Sequence, residues 1–174
     1  MLLYRLLISL FTPVLLAVLL VRVLRKHETL TDFAERCGIW SALPKGKVIW
    51  FHGASNGELT AARQIIDGIA ARRPDATLLI SCNSISAKAM VKGWGLANAE
   101  VRLAPLDLRW LYGWIMSRLD LERVILIEAD FWPNRILAAH QRRIPIALVG
   151  GRMSEKSARG WRKFPTLANK IFPA

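Results

Sequence analysis

The chain has 174 residues, of which 53% are hydrophobic and 22% are charged, and its formal net charge is +12 at pH 7. This length predicts one domain, and two cysteines without a Cys-x-x-Cys pair argue against a zinc site or a disulfide framework. Basic chains bind nucleic acid, anionic lipid or acidic substrates, but no RNA-binding, zinc-finger or basic-zipper pattern occurs, so we expect a membrane surface and no nucleic acid.

Residues 1–26 are predicted to anchor the chain to a membrane. The run from Leu6 to Val21 is sixteen residues without a charge, close to the minimum of roughly 17 for a spanning helix. Basic residues after this run outnumber Arg5, and the positive-inside rule then places the remainder in the cytoplasm. A helix lying in the plane of the membrane is the open alternative, because the run is short. Residues 27–47 are predicted to be a polar connector with a short helix.

From residue 48 onward, short apolar strands alternate with amphipathic helices. The predicted strands are 48–52, 77–81, 100–103, 124–127 and 144–149. The predicted helices begin near Leu59, Ser86, Leu108 and Pro133, and the one from Leu108 is predicted to reach Leu119. Strands that alternate with helices of about twelve residues indicate crossover connections and a parallel sheet. Residues 48–174 are therefore predicted to form a Rossmann-like α/β domain with helices on both faces of its sheet.

Polar residues follow four of the predicted strands. Glu58 comes after the first, Asp107 after the third, Glu128 directly after the fourth and Arg152 after the fifth. Ligands of open α/β sheets bind outside the carboxyl ends of the strands, so these residues predict a pocket there.

Each candidate also has a plainer explanation. Spacing alone favours Glu58 as a first-turn glutamate that compensates the helix dipole. Glu128 follows four apolar residues and fits a buried salt bridge. Arg152 fits a phosphate contact or plain surface charge equally well, and His52 fits a core or loop histidine. The chain has no Walker-type phosphate loop, and its three histidines are scattered rather than spaced as metal ligands.

Four segments together resemble one known family, the 3-deoxy-D-manno-octulosonic acid (Kdo) transferases. Trp50–Glu58 resembles that family's W-x-H-x-x-S-x-G-E signature. Glu128–Asn134 is similar to its E-x-E-L-W-P-N motif, and residues 105–108 and 151–157 fit its P-x-D-L and A-R-x-S-x-x-S elements. The resemblance extends from the N-terminal anchor to the last residue.

The resemblance implies the N-terminal half of a two-domain inverting glycosyltransferase of the GT-B class. This half would bind the lipid A precursor, and CMP-Kdo would be bound by a C-terminal domain that we expect to be absent from the chain. Glu58 would be the proton acceptor and Glu128 would stabilise the transition state, with no metal or cofactor. The substrate-binding residues would be Ser55, Gly57, Asp107, Trp132, Asn134, Arg152 and Ser154.

The same resemblance implies three partners: a lipid A precursor, the anionic surface of the bacterial inner membrane and a separate donor-binding domain. We expect the chain to lie on the cytoplasmic side of that membrane. Two other functions stay open. One is a membrane-tethered module that holds lipid A or an assembly partner without catalysis. The other is an unrelated membrane-anchored α/β protein with a small anionic ligand.

Overall fold

A computed structural model of the chain describes residues 2–128, 130–151, 153, 155–163, 165 and 168. Five strands alternate with helices, as the sequence predicts. In chain order the elements are α1 (Leu2–Leu24), α2 (Leu30–Arg36), β1 (Lys47–His52), α3 (Asn56–Ala61), α4 (Arg63–Arg72), β2 (Ala76–Cys82), α5 (Ile85–Lys92), β3 (Ala99–Leu103), α6 (Arg109–Ser117), β4 (Asp120–Ile127), α7 (Pro133–Gln141), β5 (Ile146–Val149) and α8 (Glu155–Arg162).

The described strands form one parallel sheet in the order β3-β2-β1-β4-β5. The predicted Rossmann-like sheet is therefore confirmed. The strand order reverses at β1, because its two neighbours are β2 on one side and β4 on the other. In such sheets the ligand crevice lies outside the carboxyl ends of the two strands at that reversal. His52 pairs with Leu126, so the residues after β1 and after β4 share this edge.

Alternate residues of the strands enter two hydrophobic cores, one on each face of the sheet. Val48 and Trp50 of β1 point into the core shared with α6 and α7. Ile49 and Phe51 point into the core shared with α3, α4 and α5. This alternation is the side-chain period of a β-strand buried on both faces. It also places His52 on the same face as Trp50.

Several element boundaries differ from the sequence prediction. The helix predicted after the first strand is divided into α3 and α4 at Ala62, whose backbone stays near helical values, with φ −87° and ψ −2°. Because the turn at Ala62 is nearly helical, the apolar periodicity continues through the break and conceals it. The helix predicted to reach Leu119 ends at Ser117, and β4 begins at Asp120, four residues before its predicted start.

Helix α2 lies in the segment predicted to be a connector, and buried charges attach it to the sheet. The Nζ atom of Lys88 on α5 lies 2.7 Å from Oδ1 of Asp32 and 2.6 Å from Oε2 of Glu35. Oε2 of Glu35 also accepts the backbone N–H of Leu103 on β3, at 2.8 Å. All three charged side chains are buried. Residues 30–36 are thus fixed to α5 and β3.

Helix α1 lies along the body of the domain. Its 23 residues give a length of about 35 Å, and residues Tyr4–Leu24 have a mean hydropathy of 2.5. By length and composition it is able to cross a membrane. The hydroxyl of Tyr4, near its first turn, donates a hydrogen bond to Oδ2 of Asp107 at 2.7 Å. Ile8 and Leu15 line a cavity with residues of the sheet edge, so contacts with the domain recur along much of the helix.

We expect Lys88→Met to lower the free energy of unfolding by about 3–5 kcal/mol, because two buried carboxylates lose their shared cation. Asp32 then has no ion pair among the described residues, and Glu35 keeps only Arg102, whose Nη1 lies 3.6 Å from Oε1. Lys92→Met is the matched control, since Lys92 is an exposed lysine one turn later on α5. Urea denaturation followed by circular dichroism measures both variants. Equal stability of the two would show that the buried pairs do not hold α2 in place.

Candidate functional site

Glu58 stands in the first turn of α3, at the sheet edge after β1. Ser55 caps this helix, and its Oγ accepts the backbone N–H of Glu58 at 3.3 Å. The carboxylate turns back over the loop: Oε2 accepts the Ala54 backbone N–H at 2.7 Å, and Oε1 accepts the Ser55 hydroxyl at 3.3 Å. Glu58 therefore closes the cap, as spacing alone suggests, and its half-buried carboxylate is held in one orientation at the crevice.

Glu128 follows the last residue of β4 in an unusual backbone conformation. Its φ is 59°, in the left-handed region, which costs a non-glycine residue roughly 1–2 kcal/mol. Its N–H donates to the carbonyl of Val149 at 2.8 Å, which extends the β4–β5 pairing by one residue. Among the described residues, none donates a hydrogen bond to its carboxylate or forms an ion pair with it. The described part of the chain thus supplies no buried salt bridge for Glu128, and strained backbone of this kind is typical of functional sites.

Close packing brings the loop after β1 against the end of β4. A Cβ atom at Gly53 would lie 2.9 Å from the side chain of Leu59 and 3.3 Å from Cδ1 of Ile127. The first distance is shorter than real Cβ contacts, so only glycine fits there without a shift of its neighbours. The glycine therefore lets the α3 loop that carries Glu58 approach the strand that ends beside Glu128.

Beneath this edge lies a buried hydrogen-bond chain that crosses β1 and β2. Nε1 of Trp50 donates to Oγ of Ser81 at 2.8 Å, and Nδ1 of His52 lies 2.8 Å from the same oxygen. Nε2 of His52 lies 2.5 Å from Oδ2 of Asp130. An ionised carboxylate only accepts, so Nε2 carries the proton. Nδ1 then accepts from Ser81, and every bond in the chain points toward Asp130.

Arg135 balances the negative charge of Asp130 at the end of this hydrogen-bond chain. Its Nη2 donates to the Asp130 carbonyl at 2.6 Å and lies 3.6 Å from the carboxylate, while Asn83 donates to the carboxylate at 3.2 Å. Burial and the Arg135 charge lower the pKa of His52 to about 4, so the imidazole is neutral at pH 7. Burial opposes ionisation of Asp130, but these hydrogen bonds and charges hold its pKa at about 2.

The sequence alone does not predict this hydrogen-bond chain. His52 fits a core or loop histidine, and no motif in the sequence indicates a role for Ser81, Asn83 or Arg135. One signal was present: Arg135 is the third residue of α7, and a cation in the first turn of a helix opposes the helix dipole. An arginine in that unfavourable place needs a nearby anion, which the fold supplies as Asp130.

Asp107 and Asn134, two predicted substrate-binding residues, lie together at the start of α7. Oδ2 and Oδ1 of Asp107 accept the backbone N–H groups of Asn134 and Arg135, each at 3.0 Å, and Oδ2 also accepts the Tyr4 hydroxyl. Nδ2 of Asn134 donates to the Asp107 carbonyl at 2.6 Å. Burial raises the pKa of Asp107, while the bonds from Tyr4 and the helix oppose the rise. In the structure Asp107 caps α7 and binds α1.

The predicted site residues thus form two neighbouring groups. Ser55, Gly57, Glu58 and Glu128 lie at the β1–β4 edge. Asp107, Trp132 and Asn134 lie at the start of α7. Trp132 is 41% exposed and lines a cavity of about 210 Å³ with Asn83, Asp107 and Arg135. Arg152 and Ser154 lie outside the described residues. Within the described ranges, no group of three or more His, Cys, Asp or Glu side chains is placed to hold a metal ion.

Comparison with known proteins assigns the chain to a family. Residues 31–174 match the family described as 3-deoxy-D-manno-octulosonic-acid transferase (kdotransferase). The chain is 34% identical, over 80% of its length, to a probable mitochondrial 3-deoxy-D-manno-octulosonic acid transferase of Arabidopsis thaliana. It is 27% identical, over 92% of its length, to the 3-deoxy-D-manno-octulosonic acid transferase of Rickettsia bellii. A bifunctional glycosyltransferase/methyltransferase of Fusobacterium nucleatum is 23% identical over 90% of this chain.

These relatives are longer than the chain. The matched part covers 32% of the Arabidopsis protein, 38% of the Rickettsia protein and 25% of the Fusobacterium protein. The chain therefore spans about a third of the length of the first two.

We expect acid to destabilise the fold through His52. Below its ordinary pKa of 6.5 the unfolded chain binds a proton, whereas the folded chain does not until about pH 4. Linkage then makes the free energy of unfolding fall by about 2 kcal/mol between about pH 7 and about pH 5.

The variant His52→Gln lacks this titration, so the difference in unfolding free energy between it and the wild type should shrink by that amount on acidification. Urea denaturation at the two pH values measures this difference. A difference independent of pH would contradict the neutral, buried state of the imidazole.

Proposed function

The chain belongs to the family of 3-deoxy-D-manno-octulosonic acid (Kdo) transferases, and from this premise we propose that it supplies the acceptor-side half of a glycosyltransferase. The reaction is transfer of Kdo from CMP-Kdo to a lipid A precursor. One observation carries the proposal: the carboxylates of Glu58 and Glu128 follow adjacent parallel strands at the reversal of the strand order. Ligands of open α/β sheets bind at this position.

In this proposal Glu58 is the base. It removes the proton from the acceptor hydroxyl as the hydroxyl oxygen attacks the anomeric carbon of Kdo, and CMP leaves with the electron pair of the broken bond. The bonds from Ala54 and Ser55 support the role because they aim the carboxylate and leave it partly exposed. A well-placed general base contributes roughly 10²–10⁴-fold to the rate.

Glu128 is proposed to stabilise charge in the transition state. Its fixed left-handed backbone and its place directly after β4 support this role, because electrostatic stabilisation depends on groups that are oriented before the reaction begins. The buried chain from Trp50 to Asp130 fixes the loop two residues further on. CMP-Kdo is proposed to bind to a separate donor domain, as in a two-domain GT-B enzyme.

The remaining predicted residues are proposed to contact the acceptor. Apart from its chain neighbours and the backbone of α3, the nearest described atom to a Cβ placed at Gly57 is the Ser55 hydroxyl oxygen, 4.0 Å away, so a sugar is able to approach the backbone beside Glu58. Ser55, Trp132 and Asn134 lie at or next to this edge. Arg152 and Ser154 are proposed as further contacts from the family motif. Asp107 contributes by fixing the start of α7.

We propose that α1 holds the domain on the cytoplasmic face of a bacterial inner membrane as a helix in the membrane plane. The Tyr4–Asp107 hydrogen bond supports this arrangement. A spanning helix would carry Tyr4 roughly 30 Å away from the domain, on the far side of the bilayer. The net charge of +12 is attracted to an anionic leaflet. The acceptor, a lipid, is then presented at the surface where the domain lies.

We expect Glu58→Gln and Glu128→Gln each to lower kcat for Kdo transfer. For Glu58→Gln the loss should be roughly 10²–10⁴-fold with little change in KM, because the amide keeps a hydrogen-bond acceptor but loses the base. The assay follows Kdo from CMP-Kdo to a tetra-acylated lipid A precursor. It is run with this chain alone and with the donor-binding half of a family member added.

Glu122→Gln is the matched control, since Glu122 pairs with Arg73 near the amino end of β4, away from the crevice. Wild-type kcat in Glu58→Gln would overturn the assignment of the base. Binding of the lipid A precursor without any transfer would instead support the non-catalytic binding module.

A further inference from the structure

A second cavity, of about 500 Å³, lies between α1 and the pair α6–α7. Its volume is within the range of small-ligand sites. The residues that line it combine cationic, aromatic and aliphatic side chains, and among them are Arg5, Ile8, Leu108, Arg109, Trp110 and Asn134. We call it the α1–α6 groove. None of the proposed catalytic groups lines it.

Two arginines face each other in the groove without a counterion. Arg5 of α1 and Arg109 of α6 both line it, and their positive charges repel each other. Neither guanidinium forms an ion pair or a hydrogen bond with a described residue, and Nε of Arg5 is buried without any partner there. The repulsion between two unneutralised cations destabilises the structure, and a bound anion would remove that repulsion. Guanidinium groups bind phosphate in preference to most other anions because their paired N–H groups match its oxygens.

The walls of the groove are apolar, and it opens beside an apolar surface. Ile8 and Leu108 line it. Leu6 is 58% exposed, Leu10 is 71% exposed and Trp110 is 67% exposed. Tryptophan is enriched where a protein meets the boundary between lipid tails and head groups. The two arginines thus lie next to side chains suited to acyl chains.

A buried amide oxygen adds a third feature. Asn134 is 1% exposed and lines the groove. Its Oδ1 has no hydrogen-bond donor among the described residues, although its Nδ2 donates to the Asp107 carbonyl. A buried acceptor without a donor is costly, and a ligand hydroxyl would satisfy it.

We propose that the α1–α6 groove binds one anionic glycerophospholipid of the membrane, of the phosphatidylglycerol type. Its phosphate lies between Arg5 and Arg109, a head-group hydroxyl donates to Oδ1 of Asn134, and its acyl chains follow the exposed face of α1. The lipid links α1 to α6 and fixes the domain against the leaflet. The site shares Asn134 with the residues proposed above to contact the acceptor, but neither Glu58 nor Glu128 lines it, and lipid binding there does not depend on Kdo transfer.

The test uses the full chain in a zwitterionic detergent and short-chain phosphatidylglycerol as the probe. Native mass spectrometry counts bound lipid, and titration gives the apparent Kd. We expect one phosphatidylglycerol per chain and markedly weaker binding of short-chain phosphatidylcholine and of glycerol 3-phosphate. The double variant Arg5→Gln/Arg109→Gln should weaken phosphatidylglycerol binding at least about tenfold, because each arginine near a lipid phosphate contributes about fivefold.

The control is Lys92→Gln/Arg123→Gln, which removes the same charge from exposed positions outside the groove. Equal loss in both double variants, or unchanged binding in Arg5→Gln/Arg109→Gln, would overturn the proposal. Equal binding of glycerol 3-phosphate would overturn the lipid as the ligand. Glu58→Gln should bind the lipid as the wild type does, so failure of this site is distinguishable from failure of the catalytic proposal.

Discussion

The structure depends on one buried interaction, the contact between the neutral imidazole of His52 and the carboxylate of Asp130. The imidazole belongs to β1, and the carboxylate belongs to the loop after β4. Through Ser81 the chain of bonds reaches β2, and through Arg135 it reaches α7. Four elements therefore meet at one point directly beneath the edge of the sheet. Because the groups are buried, loss of one leaves another unsatisfied, which makes the arrangement rigid.

That rigidity is what the proposed chemistry requires. Glu128 lies two residues before Asp130, and its left-handed backbone persists only if the surrounding structure holds it there. Glu58 is held separately, by the cap of α3 and by the close approach that Gly53 permits. Separate local interactions thus fix the two carboxylates, which follow adjacent strands. Electrostatic stabilisation of a transition state is most effective when its groups do not need to reorganise.

The side of the molecule that we propose to face the membrane is formed by helix α1. Helix α1 is apolar over most of its surface, yet Tyr4 is tied to Asp107, the residue that caps α7. Helices α1 and α7 therefore share one carboxylate. In the proposed in-plane arrangement, the position of α1 in the lipid also sets the height of the crevice above it. Basic residues around α1, among them Arg5 and Arg109, then face head-group phosphates.

The sequence by itself determined the alternation of strands and helices, the parallel sheet and the edge at which Glu58 and Glu128 lie. These follow from local periodicity, since a strand buried on both faces and an amphipathic helix each leave a pattern within a few residues. Only the tertiary structure decided the partners of His52, the cap that Asp107 gives to α7 and the placement of Arg5 and Arg109 in one groove. The hydrogen bond from Tyr4 to Asp107 joins residues 103 positions apart, and no local pattern records which distant side chain will complete a buried charge.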